Sequence, residues 1–257
     1  LINTKHLKDT LIREDFRHIN THSDSEIILN IFASELQKHA KKSVEAKHIG
    51  KALAQVFKRC QGAYSVVLMI SGIGLVAFRD PYGIRPLVYG ERHSEKGTEY
   101  MVASESVALN SLGFGNCKDI LPGQAIFISA NGEKNLFECT PAVTYSPCLF
   151  EYIYFARPDS IIDGISVYDS RVKMGEQLAR HLLKVWPDHN IDVVIPIPET
   201  SRSSALAMAR ILKLPYREGF VKNRYIGRTF IMPGQKLRRR SVRQKLSILD
   251  TEFAGKN

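Results

Sequence analysis

Apolar residues recur at helical spacing in the first 60 positions of the chain. Residues 6–13 form a short amphipathic pattern, and a longer apolar series with members three or four positions apart follows Ser23. Ser23 and Glu26 have the spacing of a capping box, which predicts that a helix starts at Ser23. A third pattern predicts a helix over residues 49–60. The chain is therefore expected to open with three helices.

The pattern then changes to short runs rich in β-branched and aromatic residues. These runs predict adjacent antiparallel strands over residues 63–70, 74–79, 86–90 and 100–104, with a polar loop at 92–98. Two further runs, 124–130 and 133–139, flank Asn131 and Gly132, a dipeptide that strongly indicates a hairpin. Helices followed by antiparallel strands favour an α+β fold for this part of the chain.

The pattern after residue 140 is typical of an α/β domain. A long helix is predicted over residues 168–185. A continuous apolar run at 191–198 predicts a strand buried on both faces, and a second helix is predicted over 201–212. This strand, loop and helix are the opening of a parallel α/β unit.

The final stretch, residues 220–257, is polar and basic with little periodicity, which predicts a mobile, poorly ordered loop. The two preceding patterns meet near residue 140. We therefore predict two domains, residues 1–140 and residues 141–257.

Composition limits the classes of protein that need to be considered. The 257 residues are 44% hydrophobic, which is enough to bury a core. The longest apolar stretch, residues 64–78, is interrupted by serine and glycine and is shorter than the roughly 20 residues of a spanning helix, so we expect no membrane partner. Four widely spaced cysteines form no C-x-x-C pair, which fits a reducing cytoplasm and argues against a zinc site or a disulfide framework.

The positive charge is concentrated in one segment. The formal net charge is +10, and residues 217–245 hold ten of the basic residues and one acid. The rest of the chain is nearly neutral. A concentrated basic segment favours a local site for a polyanion over a broad nucleic-acid-binding face.

The loop at residues 198–201 is a candidate phosphate site. It joins the carboxyl end of the predicted buried strand to a helix N-terminus, where free backbone N–H groups and the helix dipole favour phosphate. Thr200 or Ser201 could instead simply cap the helix. The two roles are compatible, and the pattern leaves both open.

Two other features have both a functional and a structural interpretation. Residues 222–234 combine cations, two glycines and the apolar pair Phe230 and Ile231, as in a loop that closes over a phosphorylated substrate, but a solvated tail or an RNA-binding arm has the same composition. Asp24 lies in the first turn of a predicted helix, where interaction with the helix dipole is the simpler explanation. The residues alone thus indicate a phosphate site and no reaction.

Four strings extend this interpretation: HINTHSDSE at 18–26, AFRDPYGIRPL at 77–87, FEYIYFARPDS at 150–160 and VKNRYIGRTFI at 221–231. In order and spacing they resemble the amidophosphoribosyltransferase family, also called glutamine phosphoribosylpyrophosphate amidotransferases, and its bacterial form in particular. The likeness extends over essentially all 257 residues.

The resemblance implies a two-domain enzyme. An N-terminal-nucleophile glutaminase domain, an αββα sandwich, would occupy residues 1–140, and the start of an α/β type I phosphoribosyltransferase domain would occupy residues 141–257. The family converts glutamine, phosphoribosyl pyrophosphate and water into 5-phosphoribosylamine, glutamate and pyrophosphate, the first committed step of purine synthesis.

The resemblance also assigns roles to individual residues. Asp24 matches the aspartate that holds the amino group of glutamine, which reverses the simpler explanation given above. The pyrophosphate loop is matched by Glu199, Thr200 and Ser201, and Thr200 also matches the residue that holds Mg²⁺. The loop that closes over phosphoribosyl pyrophosphate is matched by Lys222, Tyr225 and Arg228, and a wall of the ammonia channel is matched by Ile231.

Three parts of the family's machinery are expected outside the chain. The catalytic cysteine and the Asn-Gly pair of the oxyanion hole would precede Leu1, and the paired aspartates that bind phosphoribosyl pyrophosphate would follow Asn257. We therefore interpret the chain as an internal fragment that is inactive alone. Cys148 matches an iron–sulfur ligand of some members, but its partners would lie beyond the chain and no cluster is predicted.

The resemblance implies Mg²⁺ as cofactor, purine nucleotides as feedback inhibitors, a homotetramer and a cytoplasmic location, with no nucleic-acid or membrane partner. Two alternatives remain. One is a phosphate- or nucleotide-binding regulatory module without catalysis, and the other is an RNA-binding protein that uses the basic segment, whose affinity would fall steeply with salt.

Overall fold

The computed structural model describes residues 1–95, 97–141, 143–227, 229 and 232–257. The chain divides into two compact units. The first comprises Leu1–Cys148 and Ile161–Gly164, and the second comprises Leu149–Ser160 and Ile165–Asn257. Within the described part of the chain, no helix combines the length and the apolar character that crossing a membrane requires.

The first unit contains four helices and eight strands in its described residues. They are α1 (Thr4–Arg13), α2 (Asp24–His39), α3 (Ala46–Arg59), β1 (Ser65–Ile70), β2 (Gly74–Arg79), β3 (Val88–Ser94), β4 (Gly97–Ala103), α4 (Ser106–Asn110), β5 (Gly115–Asp119), β6 (Gln124–Ser129), β7 (Lys134–Glu138) and β8 (Ile161–Ile162). The three predicted opening helices are thus confirmed, as is the hairpin β6–β7.

Two antiparallel sheets form the centre of this unit. One has the order β1-β2-β6-β7 and the other β4-β3-β5. Successive side chains of β2 point to opposite faces of the sheet and so enter two different cores. Val76 and Phe78 pack among helices α1–α3. Ala77 packs on the other face, with Leu87 and Tyr89 at the start of the second sheet. The layers are therefore helix, sheet, sheet. Among the described residues of this unit, the helix that contacts β3, β4 and β5 is the five-residue α4, where the predicted αββα sandwich has its second helical layer.

The strand pairing differs from the sequence-based expectation. The predicted row of neighbouring strands is divided, because β2 pairs with β6 and β3 pairs with β4 and β5 in a separate sheet. The turn after Arg79 sends the chain into the second sheet, and Asp80 stabilises this turn by accepting hydrogen bonds from the backbone N–H groups of Tyr82, Ile84 and Arg85. The prediction of a polar loop at 92–98 was wrong, because β3 extends to Ser94 and β4 begins at Gly97.

The second unit contains mostly helices. Its elements are a π-helical turn (Glu151–Phe155), β9 (Ile165–Ser166), α5 (Val167–Val185), α6 (Arg202–Leu212), β10 (Phe220–Lys222), α7 (Gln235–Lys245), β11 (Leu246–Ile248) and a 3-10 turn (Asp250–Glu252). Arg171 is buried and donates from Nε to the Tyr152 carbonyl and from Nη2 to the Ala156 carbonyl, both at 2.7 Å, which ties α5 to the π-helical turn.

Two predictions for this unit were wrong. Residues 191–198 form no strand; in the described part of the chain they make one parallel bridge, Val194 to Tyr216. A ladder needs a neighbouring strand along its whole length, and apolar character alone does not supply one. The stretch 220–257, predicted to lack regular structure, contains α7 and the antiparallel pair β10–β11. One apolar pair, Phe220 and Ile248, faces across the ladder, a contact that periodicity within one element cannot reveal.

Close packing of α5 on α6 gives a testable consequence at Gly175. A Cβ atom added there would lie 2.1 Å from the Ser204 carbonyl oxygen, and a backbone atom cannot yield cheaply. Gly175→Ala is expected to lower the free energy of unfolding by about 1–3 kcal/mol or more. Gly50→Ala is the matched helical control, because its added methyl would meet only the mobile Phe137 ring at 3.2 Å and gains about 1 kcal/mol of helix propensity. Equal denaturant midpoints for the two variants would refute tight α5–α6 packing.

Candidate functional site

The first candidate site surrounds the N-terminus of α2. Ser23 is the N-cap residue and its Oγ accepts a hydrogen bond from the Ser25 N–H, as the sequence predicted. Asp24 is the first helical residue and lies on the wall of a cavity of about 510 Å³. The cavity is lined by Asp24, Ser25, Ile28, Leu29, the run from Ala63 to Leu68, and Arg85. It thus combines a carboxylate, a guanidinium and an apolar floor, which are the groups that an amino acid with a polar side chain requires.

The Asp24 carboxylate is already bound on both oxygens. Thr4 Oγ1 donates to Oδ1 at 2.7 Å, and the α-ammonium group of Leu1 contacts Oδ2. These hydrogen bonds, from the ammonium first and from Thr4 second, hold the pKa of Asp24 below its ordinary value against partial burial. The carboxylate is therefore ionised at neutral pH, and its second oxygen can accept an ammonium group.

Glu26 fixes the loop that leads into this helix, but not as a capping box. Its carboxylate accepts hydrogen bonds from the backbone N–H groups of Asn20 and Thr21 and from both of their side chains, with none from Ser23 among the described contacts. The Thr21 hydroxyl and then the Asn20 N–H lower the pKa of Glu26 to about 2. Glu26 thus stays ionised well into the acid range and keeps residues 20–23 next to Asp24.

Arg85 is a wall residue of this cavity that reasoning from individual residues did not single out. It follows the Asp80 turn, and its carbonyl accepts a hydrogen bond from Arg79 Nε at 2.7 Å. The signal lay in the RDPYGIRP string, where a buried aspartate collects three backbone donors and so positions the next residues. In the sequence this string indicated only the family resemblance and not a role for Arg85.

The second candidate site is the loop before α6. Glu199 and Thr200 line a cavity of about 390 Å³. The Glu199 carboxylate pairs with Nη1 of Arg202, the first residue of α6, at 2.9 Å. Ser201 occupies the N-cap position, but its hydroxyl donates to the Ile197 carbonyl at 2.6 Å and makes no capping bond to the helix. The capping role that the sequence left open for Ser201 is therefore absent.

Lys222, from a later part of the chain, lines the same cavity. It ends β10, and the β10–β11 register places it opposite Leu246, which also lines the cavity. The loop 198–201 and Lys222 are more than 20 positions apart, so their meeting is a result of the fold. Pro198 and Thr229, which lie in the two predicted loops, also line the cavity, and further lining comes from residues that the sequence did not propose for this site: Tyr154, Phe155, Ile197, Val242 and Lys245.

Two predicted residues that the structure describes, Ser201 and Tyr225, do not line this cavity. The side chain of Tyr225 is fully exposed and does not line it. Arg228 and Ile231 lie outside the described residues. Among residues 1–95, 97–141, 143–227, 229 and 232–257, no group of three or more His, Cys, Asp or Glu side chains could hold a metal ion, so the assignment of Mg²⁺ to Thr200 stays a prediction.

The cysteines have no disulfide partner in the structure. Burial raises the pKa of the Cys60 thiol and of the Cys139 thiol to about 12, so both are protonated and unreactive at neutral pH. Cys148 is partly buried, and the prediction that it holds no iron–sulfur cluster stays a prediction.

Comparison with known proteins finds similarity to one group of enzymes. Residues 1–111 match the family model described as glutamine amidotransferase domain. The whole chain is 57% identical to the amidophosphoribosyltransferase of Escherichia coli and 55% identical to that of Pseudomonas aeruginosa, and it covers 51% of each. A Saccharomyces cerevisiae protein of the same name is 51% identical with the same coverage. The chain therefore spans about half the length of the curated relatives it matches.

A solved structure has the same fold. Glutamine phosphoribosylpyrophosphate amidotransferase from Bacillus subtilis, in complex with ADP and GMP, aligns with a TM-score of 0.78 and 33% identity. The alignment covers all of this chain and 52% of that protein. The first unit contains residues 1–111, the part of the chain that matches the glutamine amidotransferase domain model.

Proposed function

We propose that this chain, similar over its full length to amidophosphoribosyltransferases, supplies the amino-group site for glutamine and the pyrophosphate site of that reaction. In it, ammonia released from glutamine replaces the pyrophosphate of phosphoribosyl pyrophosphate, giving 5-phosphoribosylamine. The observation that carries the proposal is one cavity lined by Glu199, Thr200 and Lys222, which the same resemblance assigns to one substrate.

Glutamine would bind at the first cavity through its ammonium group. Its ammonium group would take the place of the Leu1 ammonium on Asp24 Oδ2, while Thr4 Oγ1 holds Oδ1 and so fixes the carboxylate rotamer. A charge-assisted hydrogen bond of this kind is among the stronger polar contacts in proteins. The pocket wall from β1 would contact the aliphatic part of the substrate.

The second cavity suits the leaving group of the transfer step. Breaking the bond between ribose C1 and pyrophosphate develops negative charge on the leaving oxygens. The Lys222 ammonium and the N-terminus of α6 stabilise that charge, the latter through its free N–H groups and its dipole. These residues lower the barrier by binding the product-like charge more tightly than the substrate.

The donor atoms at this cavity fit Mg²⁺. The Thr200 hydroxyl and the Glu199 carboxylate are oxygen ligands, which Mg²⁺ prefers, and it commonly binds through few protein ligands together with substrate phosphates. When bound, the ion would neutralise charge on the pyrophosphate. Thr200 would hold it, and the Glu199–Arg202 ion pair would keep the loop in position.

The second unit would be the start of a type I phosphoribosyltransferase domain. Supporting features are the parallel bridge Val194–Tyr216 and the loop that leads directly into α6. The loop containing Tyr225 and Arg228 would close over the substrate and exclude water, and Ile231 would line the passage for ammonia. Purine nucleotides would inhibit the complete enzyme, since the B. subtilis relative was solved with ADP and GMP, and a cytoplasmic homotetramer is proposed from the resemblance.

Lys222→Gln tests the phosphate site. The variant is placed in a chimera in which residues 1–257 replace the matching segment of the E. coli relative. Loss of one charged contact to pyrophosphate is expected to raise KM for phosphoribosyl pyrophosphate by about 10-fold or more, while hydrolysis of glutamine alone is little changed. Lys236→Gln, an exposed charge on α7, is the control. An unchanged KM in Lys222→Gln would remove Lys222 from the site.

A further inference from the structure

One cation at the second cavity has no role in the account above. Lys245, the last residue of α7, lines this cavity together with Lys222, Glu199 and Thr200. In the sequence it is only one of ten basic residues between positions 217 and 245. Nothing in its spacing distinguishes it from the exposed cations on the same helix.

Backbone geometry brings Lys245 to the cavity. Strand β11 begins directly after α7 and pairs with β10 in a register that sets Leu246 opposite Lys222. Lys245 therefore precedes the residue that faces Lys222 across the ladder. Both lysines line one cavity, and an ordered helix and ladder hold their backbones.

Lys245 also anchors the loop between the two elements. Its Nζ donates to the Gly227 carbonyl at 2.9 Å, and its own carbonyl accepts from the Asn223 N–H at 2.8 Å. One residue thus fixes both ends of segment 223–227, which directly follows Lys222 and contains Tyr225. Changing Lys245 alters the placement of the segment as well as the local charge.

The charge balance indicates the ligand class. Two lysines line a cavity of about 390 Å³ and their like charges repel, while the Glu199 carboxylate is already paired with Arg202. A ligand with two adjacent phosphate groups offsets this repulsion, because each phosphate can accept from one ammonium. A single lysine at a helix C-terminus would be explained by the helix dipole, but that explanation does not account for the hydrogen bond to Gly227.

We infer that Lys245 is a positioning residue of this site, which anchors the segment 223–227 that follows Lys222 and adds positive charge for a diphosphate group. The inference rests on the proposed function of the cavity and extends it to a residue outside the loop and strand assigned above. Lys245 acts through the segment and through its charge, and no bond to a reacting atom is required of it.

Binding of inorganic pyrophosphate with Mg²⁺ to the 257-residue chain tests the inference by isothermal titration calorimetry. Lys245→Met is expected to weaken binding by at least about 10-fold, from the loss of one charge-assisted contact. Lys245→Arg keeps the charge and a donor and is expected to restore most of the affinity. Lys236→Gln removes an exposed charge from the same helix and is expected to change affinity by less than about 2-fold.

The outcomes separate the inference from the proposed function. If the wild-type chain binds and Lys245→Met binds equally well, the inference is overturned and the phosphate site stands. If the wild-type chain binds no pyrophosphate, the proposed site itself fails. Thermal unfolding midpoints identify a folding defect, and if Lys245→Met does not fold, Lys245→Gln, which keeps a donor for the Gly227 carbonyl, takes its place with the same two outcomes.

Discussion

Replacing Arg79 with methionine is expected to lower the free energy of unfolding of the first unit by about 3–5 kcal/mol. The Arg79 side chain is 1% exposed and pairs bidentately with Asp163, from Nη1 at 2.6 Å and from Nη2 at 2.8 Å. It also donates to the carbonyls of Gly83, Arg85 and Ile120. The substitution leaves a largely buried carboxylate without its cation, and this uncompensated charge dominates the effect.

Lys47→Met is the matched control for this prediction. Lys47 pairs with Glu45 at 2.7 Å, but both side chains are more than half exposed, so the pair contributes at most about 1 kcal/mol. Denaturant unfolding followed by far-ultraviolet circular dichroism gives both values. Similar midpoints for the two variants would show that the Arg79 network does not stabilise the unit.

The same network predicts a pH dependence. Burial acts to raise the pKa of Asp163, but the hydrogen bonds from Arg79 and Tyr145 outweigh it and the net pKa is lowered. A lowered folded-state pKa stabilises the fold above the ordinary carboxylate pKa, and this contribution is lost as the pH falls through the folded value. The difference in stability between wild type and Arg79→Met should therefore shrink below about pH 4. A constant difference down to pH 2 would contradict the ion-pair explanation.

Asp24→Ala should have the largest effect on glutamine use. In the chimera, loss of the carboxylate that holds the substrate ammonium is expected to raise KM for glutamine by about 100-fold, from roughly 3 kcal/mol for a hydrogen bond to a charged group. Activity with added ammonia should be nearly unchanged, because ammonia does not need this pocket. Asp9→Asn, an exposed carboxylate on α1, is the control. Parallel loss of the ammonia-dependent activity would mean that Asp24 maintains the fold and does not bind substrate.

Patterns within short stretches of the sequence predicted the elements that depend mainly on residues near one another in the chain. The helices α2, α3, α5 and α6 follow from apolar spacing, and the β6–β7 hairpin follows from Asn131 and Gly132. The pairing of β2 with β6 was not predictable, because it depends on a contact between strands about 50 positions apart. The apolar run 191–198 has the composition of a buried strand but lacks a ladder partner along its length in the described residues.

The same distinction applies to the sites. Thr200 and Lys222 were proposed separately from sequence, and the structure places both on one cavity. Lys245 could not be recognised, since its position depends on the register between β10 and β11. Arg79 was likewise invisible as a buried cation, because its partner Asp163 is 84 positions away. The role of a charged residue can be inferred only when the fold shows which residues it contacts.

Formation of 5-phosphoribosylamine by the chimera tests the central claim most directly. Residues 1–257 replace the matching segment of the E. coli relative, and product is measured with glutamine and, separately, with ammonia as the nitrogen donor. We predict synthesis from both donors, with pyrophosphate released in equal amount. A folded chimera that binds purine nucleotides yet forms no product from either donor would contradict the account and favour a regulatory module without catalysis.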